Sequence, residues 1–565
     1  MAQRELRLWP GVAVVLLQWL VRFVLPMIWP ETVGIGVIGG LVGGLAVLVW
    51  WAFFSRAPRL ERWGAVGLMI VSLAATSRIL HVSIATGMMG MMFVIYSVPV
   101  VSLALVAWAV ASRRLTGELR LVTLSATILI ACGGWALLRT DGITADAHSQ
   151  FAWRWAETPE QKLLARGGEL PAQSAPARVS GDWPGFRGAH RDDIVNGVRI
   201  KTDWAAAPPV ELWRRAVGPG WSSFAVHDGL LYTQEQRGDF EVVACYSVAT
   251  GKPVWAHRDA ARFWESNAGA GPRGTATLRD GRVYTFGATG ILNALDAGSG
   301  AVVWVRNAAS DAKAKVPEWG FASSPLVVDD MVIVAAAGRL AAYDLVTGHP
   351  RWLGPTGGGS YSSPQLLTIG GVPQVLLLSD AGVTSVAPAD GRVLWKHAWR
   401  GFAILQPAQT EDGGVLLVTG SAAGGIGTLR LAVTQGSGGW SAKEVWMSSG
   451  LKPYFNDFVI HDGYAYGFDG GILACISLQD GSRKWKGGRY GHGQLLLLND
   501  QSLLLVLSEQ GELALVSAAP DKFREIARFR AMEGKTWNHP VLAGDILLVR
   551  NGLEMAAFRL ALVKG

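Results

Sequence analysis

The sequence predicts a multi-domain chain: an N-terminal α-helical transmembrane bundle followed by an all-β eight-bladed propeller. Three observations carry that prediction. Residues 1–150 hold long apolar runs and no lysine, a polar stretch follows, and from about residue 210 the chain repeats a unit that ends in tryptophan. With 50% apolar and only 17% charged residues, against about 25% charged in average globular chains, disorder and a wholly soluble chain are both excluded. The expected layout is a transmembrane domain at 1–140, a linker at 141–182 and the propeller at 183–565.

A spanning helix needs about 20 mostly apolar residues. Five stretches meet that need, at about 9–29, 33–54, 64–84, 91–111 and 121–138. The first is too long and too rich in tryptophan for a signal-peptide core, and other spans follow it, so it reads as an anchor. Arg4 and Arg7 precede it. The connection Pro30-Glu31-Thr32 carries no base, Arg56, Arg59 and Arg62 come next, Thr86-Gly87-Met88 is uncharged, and Arg113, Arg114 and Arg120 close the series. Basic loops stay cytoplasmic. The N-terminus is therefore expected inside, and an odd number of spans places everything after Arg139 in the periplasm, with the bundle in inner-membrane lipid. Arg22, Arg78 and His81 lie in or near these spans. Ionisable residues at such depth can mark proton or quinone paths; the simpler reading has the arginines snorkelling or pairing between helices and His81 near the outer interface.

Within the polar stretch, Glu157–Arg166 is predicted as a short helix and Pro171–Arg178 as a flexible tether. The repeat then begins. Its units end at Trp213, Trp255, Trp304, Trp352, Trp395, Trp446 and Trp485, with a degenerate copy at Phe529, spaced 39–51 residues apart. That is a propeller-blade period. Short alternating runs give strands, and Asp-Gly gives a tight turn between the first two of each unit. The closing tryptophan can wedge between neighbouring sheets and bury roughly 150–250 Å². Inner strands are expected to start near Ser222, Gly274, Ser323, Ser362, Leu405, Asn456, Gly493 and Asn538, which makes eight. The last unit lacks its fourth strand, and Val210–Trp213 can supply it, removing the exposed edges.

These units resemble the pyrroloquinoline quinone (PQQ) propeller repeat, close to Ala-x-Asp-x-x-Thr-Gly-x-x-x-Trp. Residues 294–304 and 342–352 fit best, 385–395 and 475–485 more loosely, and the lead-in Asp182-Trp-Pro-Gly-Phe-Arg-Gly188 is similar to the opening of PQQ-like proteins. The resemblance covers about 183–562 and implies the propeller fold. Its relatives include quinoprotein dehydrogenases and catalytically silent BamB-like scaffolds. Five spans before such a propeller also resemble membrane-bound quinoprotein glucose dehydrogenase, whose spans pass electrons to ubiquinone.

Two readings follow. The first, favoured, is a non-catalytic membrane-tethered propeller that binds a periplasmic protein or peptide, with no cofactor and no metal expected. The alternative is a PQQ-dependent sugar or alcohol dehydrogenase that feeds a quinone. It needs a Ca²⁺ held by oxygen ligands, a carboxylate base and a ring-stacking floor. Near the inner-strand starts stand Asp457, Glu318, Arg273 and His492 as candidates for catalysis, and Trp319, Asn456, Trp537 and Asn538 for cofactor binding, with His539 alongside. Such residues also solvate the mouth of any propeller channel. Asn456 and Asp457 are neighbours on one expected strand, so their side chains should point to opposite faces and only one can aim at a central metal. About 47 residues per blade leave little room for the insertions that build a cofactor funnel, and no adjacent cysteine pair occurs. Asp296 and Asp344 occupy a structural position of the repeat. The three cysteines, Cys132, Cys245 and Cys475, are too few and scattered for a zinc site or disulfide framework. Arginines beside the spans supply part of the net charge of +7, so no nucleic-acid partner is expected.

Overall fold

A computed structural model describes residues 7–29, 32–115, 117–144, 148–165, 181–399, 401–419 and 427–563. Arg4, the loop residues Pro30 and Glu31, and the tether expected at 171–178 lie outside the described residues. The chain forms two compact units: Met1–Thr158 with Glu265–Gly269, and Pro159–Trp264 with Ala270–Gly565.

Among the described residues of the first unit, four helices are long and apolar enough to cross a membrane: Trp9–Ile28, Val33–Phe54, Met92–Arg114 and Gly117–Leu137. The third expected span, 64–84, is replaced by helix Arg59–Ser77. Its first turn holds Arg59, Glu61 and Arg62, and it stops at Ser77, so its apolar run is shorter than the sequence suggested. A separate turn, Val82–Ala85, follows; His81 caps it, Nδ1 accepting the Ser83 N–H at 3.2 Å. Glu61 is buried because Arg120 meets it, Nε donating at 3.1 Å. Val47, Trp50, Trp51, Met69, Leu105, Trp108, Leu124 and Ile128 fill the space between the helices. Past the last helix, Leu138–Ile143 pairs with Ser149–Trp153 as a hairpin, where the sequence suggested only linker. In the second unit, helix Pro159–Ala165 falls inside the expected 157–166.

The rest of the second unit is an eight-bladed propeller. Among the described residues, each blade is built on four antiparallel strands, in plain chain order in seven of the eight, and blade 7 carries Ile194–Val195 as a fifth, parallel edge strand. The eighth consists of Val541–Ala543, Ile546–Arg550 and Glu554–Arg559, completed by Val210–Ala216 from the start of the domain. Ring closure is thus carried by main-chain hydrogen bonds. Central strands such as Met331–Ala336 and Leu503–Leu507 are buried at every residue, which is why they read as unbroken apolar runs. Asp280-Gly281 and Asp462-Gly463 have positive φ at both positions (50° and 72°, 48° and 78°), the backbone that a two-residue hairpin turn requires.

Neighbouring blades meet through the repeated tryptophans. Trp213, Trp255, Trp304, Trp352, Trp446 and Trp485 donate their indole N–H to a main-chain carbonyl of the following blade, at 2.7, 2.9, 3.2, 2.8, 3.0 and 2.8 Å. Five of these rings, all but Trp485, lie on the glycine of the next blade's turn. A Cβ on Gly348, at φ 71°, would sit 2.6 Å from the Trp304 ring, and one on Gly300, at φ 74°, 2.5 Å from Trp255. Trp395 differs: it donates to Gln374 Oε1 of its own blade at 2.7 Å. The blade after it has a long hairpin, Gly427–Gly436 with Gly439–Ser448, in place of the glycine turn.

Candidate functional site

The inner strands converge on a central channel, and the residues just before them form stacked levels. The position two residues ahead of an inner strand is filled by Ser223, Thr275, Ser324, Ser363, Gln406, Asp457 and His539, and blade 7 presents Gln494 at its strand start. All are buried. Main-chain N–H groups link this level around the axis: Ser223 to Thr275 Oγ1, Thr275 to Ser324 Oγ and Ser324 to Ser363 Oγ, each at 2.9 Å. With its amide turned to suit its neighbours, Gln406 accepts the Ser363 N–H at 3.0 Å and donates to Asp457 Oδ2 at 2.7 Å. Small polar side chains suit this crowded level because each must satisfy a buried donor of the adjacent blade.

The lead-in segment crosses the channel beyond this ring. Trp183 bridges to Val226 of blade 1, Pro184 accepts the Leu278 N–H of blade 2 at 2.7 Å, and Ile194–Val195 runs parallel to Leu497–Leu498 of blade 7. Arg187, Arg191 and Asp193 all take left-handed backbone angles (62°, 58° and 62°). Such a run of non-glycine residues persists only where the surroundings over-determine it. Here they do: Arg187 Nε donates to Asp193 Oδ2 at 2.5 Å and NH2 to the Phe458 carbonyl at 2.9 Å, and its NH1 lies 3.5 Å from Asp457. Arg191 donates to the Pro325 and Ser324 carbonyls at 2.9 and 3.3 Å. His539 completes the cluster, 3.6 Å from Asp193 and 3.9 Å from Asp457, with Phe186 edge-on to its ring at 5.0 Å. Burial pushes the Asp457 carboxyl up, and Arg187 only partly offsets it. For Asp193, burial acts upward too, but Arg187 and His539 outweigh it and hold the carboxyl below its ordinary range.

On the other side of the ring, a collar of aromatic side chains surrounds the channel mouth. Trp221 meets Trp537 at 4.8 Å, Trp537 meets Phe455 at 4.9 Å, and Phe455 meets His492 at 5.8 Å. Tyr454 touches both His492 and Trp319, and Trp319 stacks on Tyr361 at 4.9 Å with Phe402 at 6.0 Å. Lys535 lies over Trp537 at 4.3 Å. Arg273 donates to the Trp319 carbonyl at 3.0 Å.

Of the candidates read from the sequence, Trp319, His492, Trp537 and Arg273 come together in the collar. Asn456 and Asn538 lie buried beneath it, Asp457 and His539 belong to the ring, and Glu318 is exposed. Asn456 Oδ1 accepts the Tyr454 N–H at 3.0 Å, and Asn538 Nδ2 donates to the Ser222 carbonyl at 2.7 Å. Their other amide atoms, Asn456 Nδ2 and Asn538 Oδ1, are buried with no partner among the described residues. Sequence reasoning quoted the lead-in but gave Arg187 and Asp193 no role. An arginine and an aspartate inside a glycine- and proline-rich opening were the signal.

Any PQQ–Ca²⁺ centre here would have to draw on groups that already have partners: Asp457 is engaged by Arg187, Gln406 and His539, and Asn456 Oδ1 accepts the Tyr454 N–H. Asp296 and Asp344 accept the N–H groups of their own turns, at 2.8 Å from Ser299 and 2.8 Å from Thr347.

The family described as outer membrane protein assembly factor BamB matches residues 205–352 and 239–487. Similar solved structures include BamB from Moraxella catarrhalis (15% identity, TM-score 0.46, covering 63% of this chain and 99% of that one). Quinohemoprotein alcohol dehydrogenase ADHIIG from Pseudomonas putida HK5 aligns at 15% identity and TM-score 0.48, over 70% of this chain and 84% of its own. The quinohemoprotein alcohol dehydrogenase from Comamonas testosteroni aligns at 13% and 0.48, over 68% and 81%. No curated protein matches the sequence.

Proposed function

Because the chain belongs to the family described as outer membrane protein assembly factor BamB, we propose that it is a membrane-anchored, non-catalytic propeller that binds an envelope protein through an extended peptide segment. The observation that carries this reading is the aromatic collar around the channel mouth. Buried beneath it lie one unmatched amide donor, Asn456 Nδ2, and one unmatched amide acceptor, Asn538 Oδ1. These would complement the C=O and N–H of a peptide group once the collar opens to admit it, whereas the nearby carboxylate Asp457 is already committed. Aromatic side chains in such a collar supply apolar contact area at small entropic cost. The opposite end of the channel is filled by the lead-in.

The arginine pattern supports a propeller in the periplasm of a two-membrane bacterium. Helix Arg59–Ser77 has 19 residues, about 28 Å at the α-helical rise, close to the roughly 30 Å hydrocarbon core. It crosses as a short fifth span, its charged first turn in the cytoplasmic interface.

A photo-crosslinking residue at Phe402, exposed on the collar, tests the binding reading in intact envelopes. One discrete protein adduct is expected there, weakened by Asn456→Leu or Asn538→Leu, and none from the same probe at Val302 on an outer strand. The dehydrogenase alternative is tested by incubating purified protein with PQQ and Ca²⁺ and following dye reduction. Turnover that disappears in Asp457→Ala would overturn the non-catalytic reading.

A further inference from the structure

Arg22 lies inside helix Trp9–Ile28 and is only 7% exposed. Sequence reasoning expected it to snorkel or pair between helices. Among the described residues its guanidinium makes no ion pair and no hydrogen bond, and Nε is buried without a partner. The rings of Phe23 and Tyr96 flank it at 4.9 and 5.0 Å. They favour a cation but leave its N–H donors unmatched.

Three features of the bundle build this spot. The first helix widens into a π-bulge over Leu20–Val24, a geometry that recurs at functional sites. Helix Val33–Phe54 brings Gly40 against the arginine stem, where a Cβ would meet Arg22 Cδ at 3.0 Å. Helix Met92–Ala111 contains Pro99, which cannot donate to the Ile95 carbonyl. Two more buried polar atoms on these helices have no partner among the described residues: Gln18 Oε1, one turn before Arg22, and Ser97 Oγ, next to Tyr96 in the chain. An unpaired charge between membrane helices is costly enough that it marks a ligand or a partner.

The donor set decides the ligand. A guanidinium presents a flat fork of N–H donors that matches phosphate oxygens. Arg22 stands six residues before Ile28, about 9 Å along the helix, and Tyr96 only four residues after Met92. Arg22 thus lies about 5 Å past the middle of the helix, in its half nearer Ile28, from which an arginine can extend toward the headgroup layer. We propose that Arg22 binds the phosphate of an anionic phospholipid drawn into the bundle. The proposal is independent of what the propeller binds.

The test uses the full-length protein in detergent, stripped of lipid. It is offered dioleoylphosphatidylglycerol, dioleoylphosphatidylcholine or inorganic phosphate, and followed by native mass spectrometry and thermal melting. Phosphatidylglycerol is expected to be retained one-to-one and to raise the melting temperature, while the other two do neither. Its affinity should fall about tenfold in Arg22→Gln and recover partly in Arg22→Lys. Should Arg22→Gln not fold, Arg22→Lys carries the test, with affinity between that of the parent and background. Equal retention of the two lipids, stabilisation by inorganic phosphate alone, or unchanged affinity in the Arg22 variants would overturn the proposal.

Discussion

Trp304 and Gly348 belong to different blades, yet each explains the other. Trp304 is 8% exposed and lies on a glycine whose hydrogen leaves room for the ring. Trp304→Ala removes a buried indole and should cost about 3–5 kcal/mol. Gly348→Ala pushes a methyl into the same ring at a left-handed φ and should cost about 1–3 kcal/mol. Thermal melting checks both, and a Trp304→Ala protein that melts with the parent would refute the docking. Glu241 makes a separate prediction. Burial pushes its carboxyl up to about 7 despite the Ala288 N–H donating to it at 3.0 Å. Because its folded pKa is above the unfolded value of 4.5, its contribution is fully favourable below about pH 4.5 and is lost as pH rises to about 7. Stability should therefore climb as the pH is lowered from 8 to 5. Glu241→Gln should flatten that part of the profile, which melting curves across the range would reveal.

The lead-in acts as one element because its charges are matched by the blades it crosses. Arg187→Ala would leave Asp193 and Asp457 buried without their guanidinium, with only His539 and Gln406 near them, at a cost of about 3–5 kcal/mol. Limited proteolysis should then cut between Gly181 and Gly197, where the parent resists. Combining Arg187→Met with Asp193→Asn and Asp457→Asn removes the stranded charges and should restore part of the resistance. The lead-in's composition advertised an opening segment, and the repeat expected inner strands to start near Asn456 and Asn538, whereas Asn456, Asp457 and Asn538 stand two or three residues ahead of strands that begin at Val459 and Val541. The pairing of Asp457 with Arg187 was not legible, since it joins residues far apart in the chain through a channel that exists only once the ring has closed. Blade 5 shows a similar limit: Trp446 kept its place in the repeat, while the missing glycine turn sent Trp395 to Gln374.

At the scale of the whole molecule, the arrangement of basic loops makes a topological prediction. A reporter fused after Arg62 should behave as cytoplasmic and one after Asp141 as periplasmic. A periplasmic signal at Arg62 would refute the proposed orientation. Helix Arg59–Ser77 is the decisive element, because four crossings would return the propeller to the side of the N-terminus. Its buried Glu61–Arg120 pair offsets the charge that excluded it from the apolar helices.

The sequence by itself determined the architecture: apolar runs of membrane length, a tryptophan period near that of a blade, and an orphan strand to close the eighth sheet. These are periodic signals, repeated along the chain and enforced by burial at every copy, so they survive without knowledge of contacts. The tertiary structure alone decided what the polar residues do. It showed that Asp457 is matched by Arg187, that Asn456 and Asn538 keep one amide atom each unpaired, that Arg59–Ser77 ends early, and that Arg22 has no partner among the described residues. The physical reason is that a polar side chain takes its meaning from the group opposite it, and that group comes from another blade or another helix.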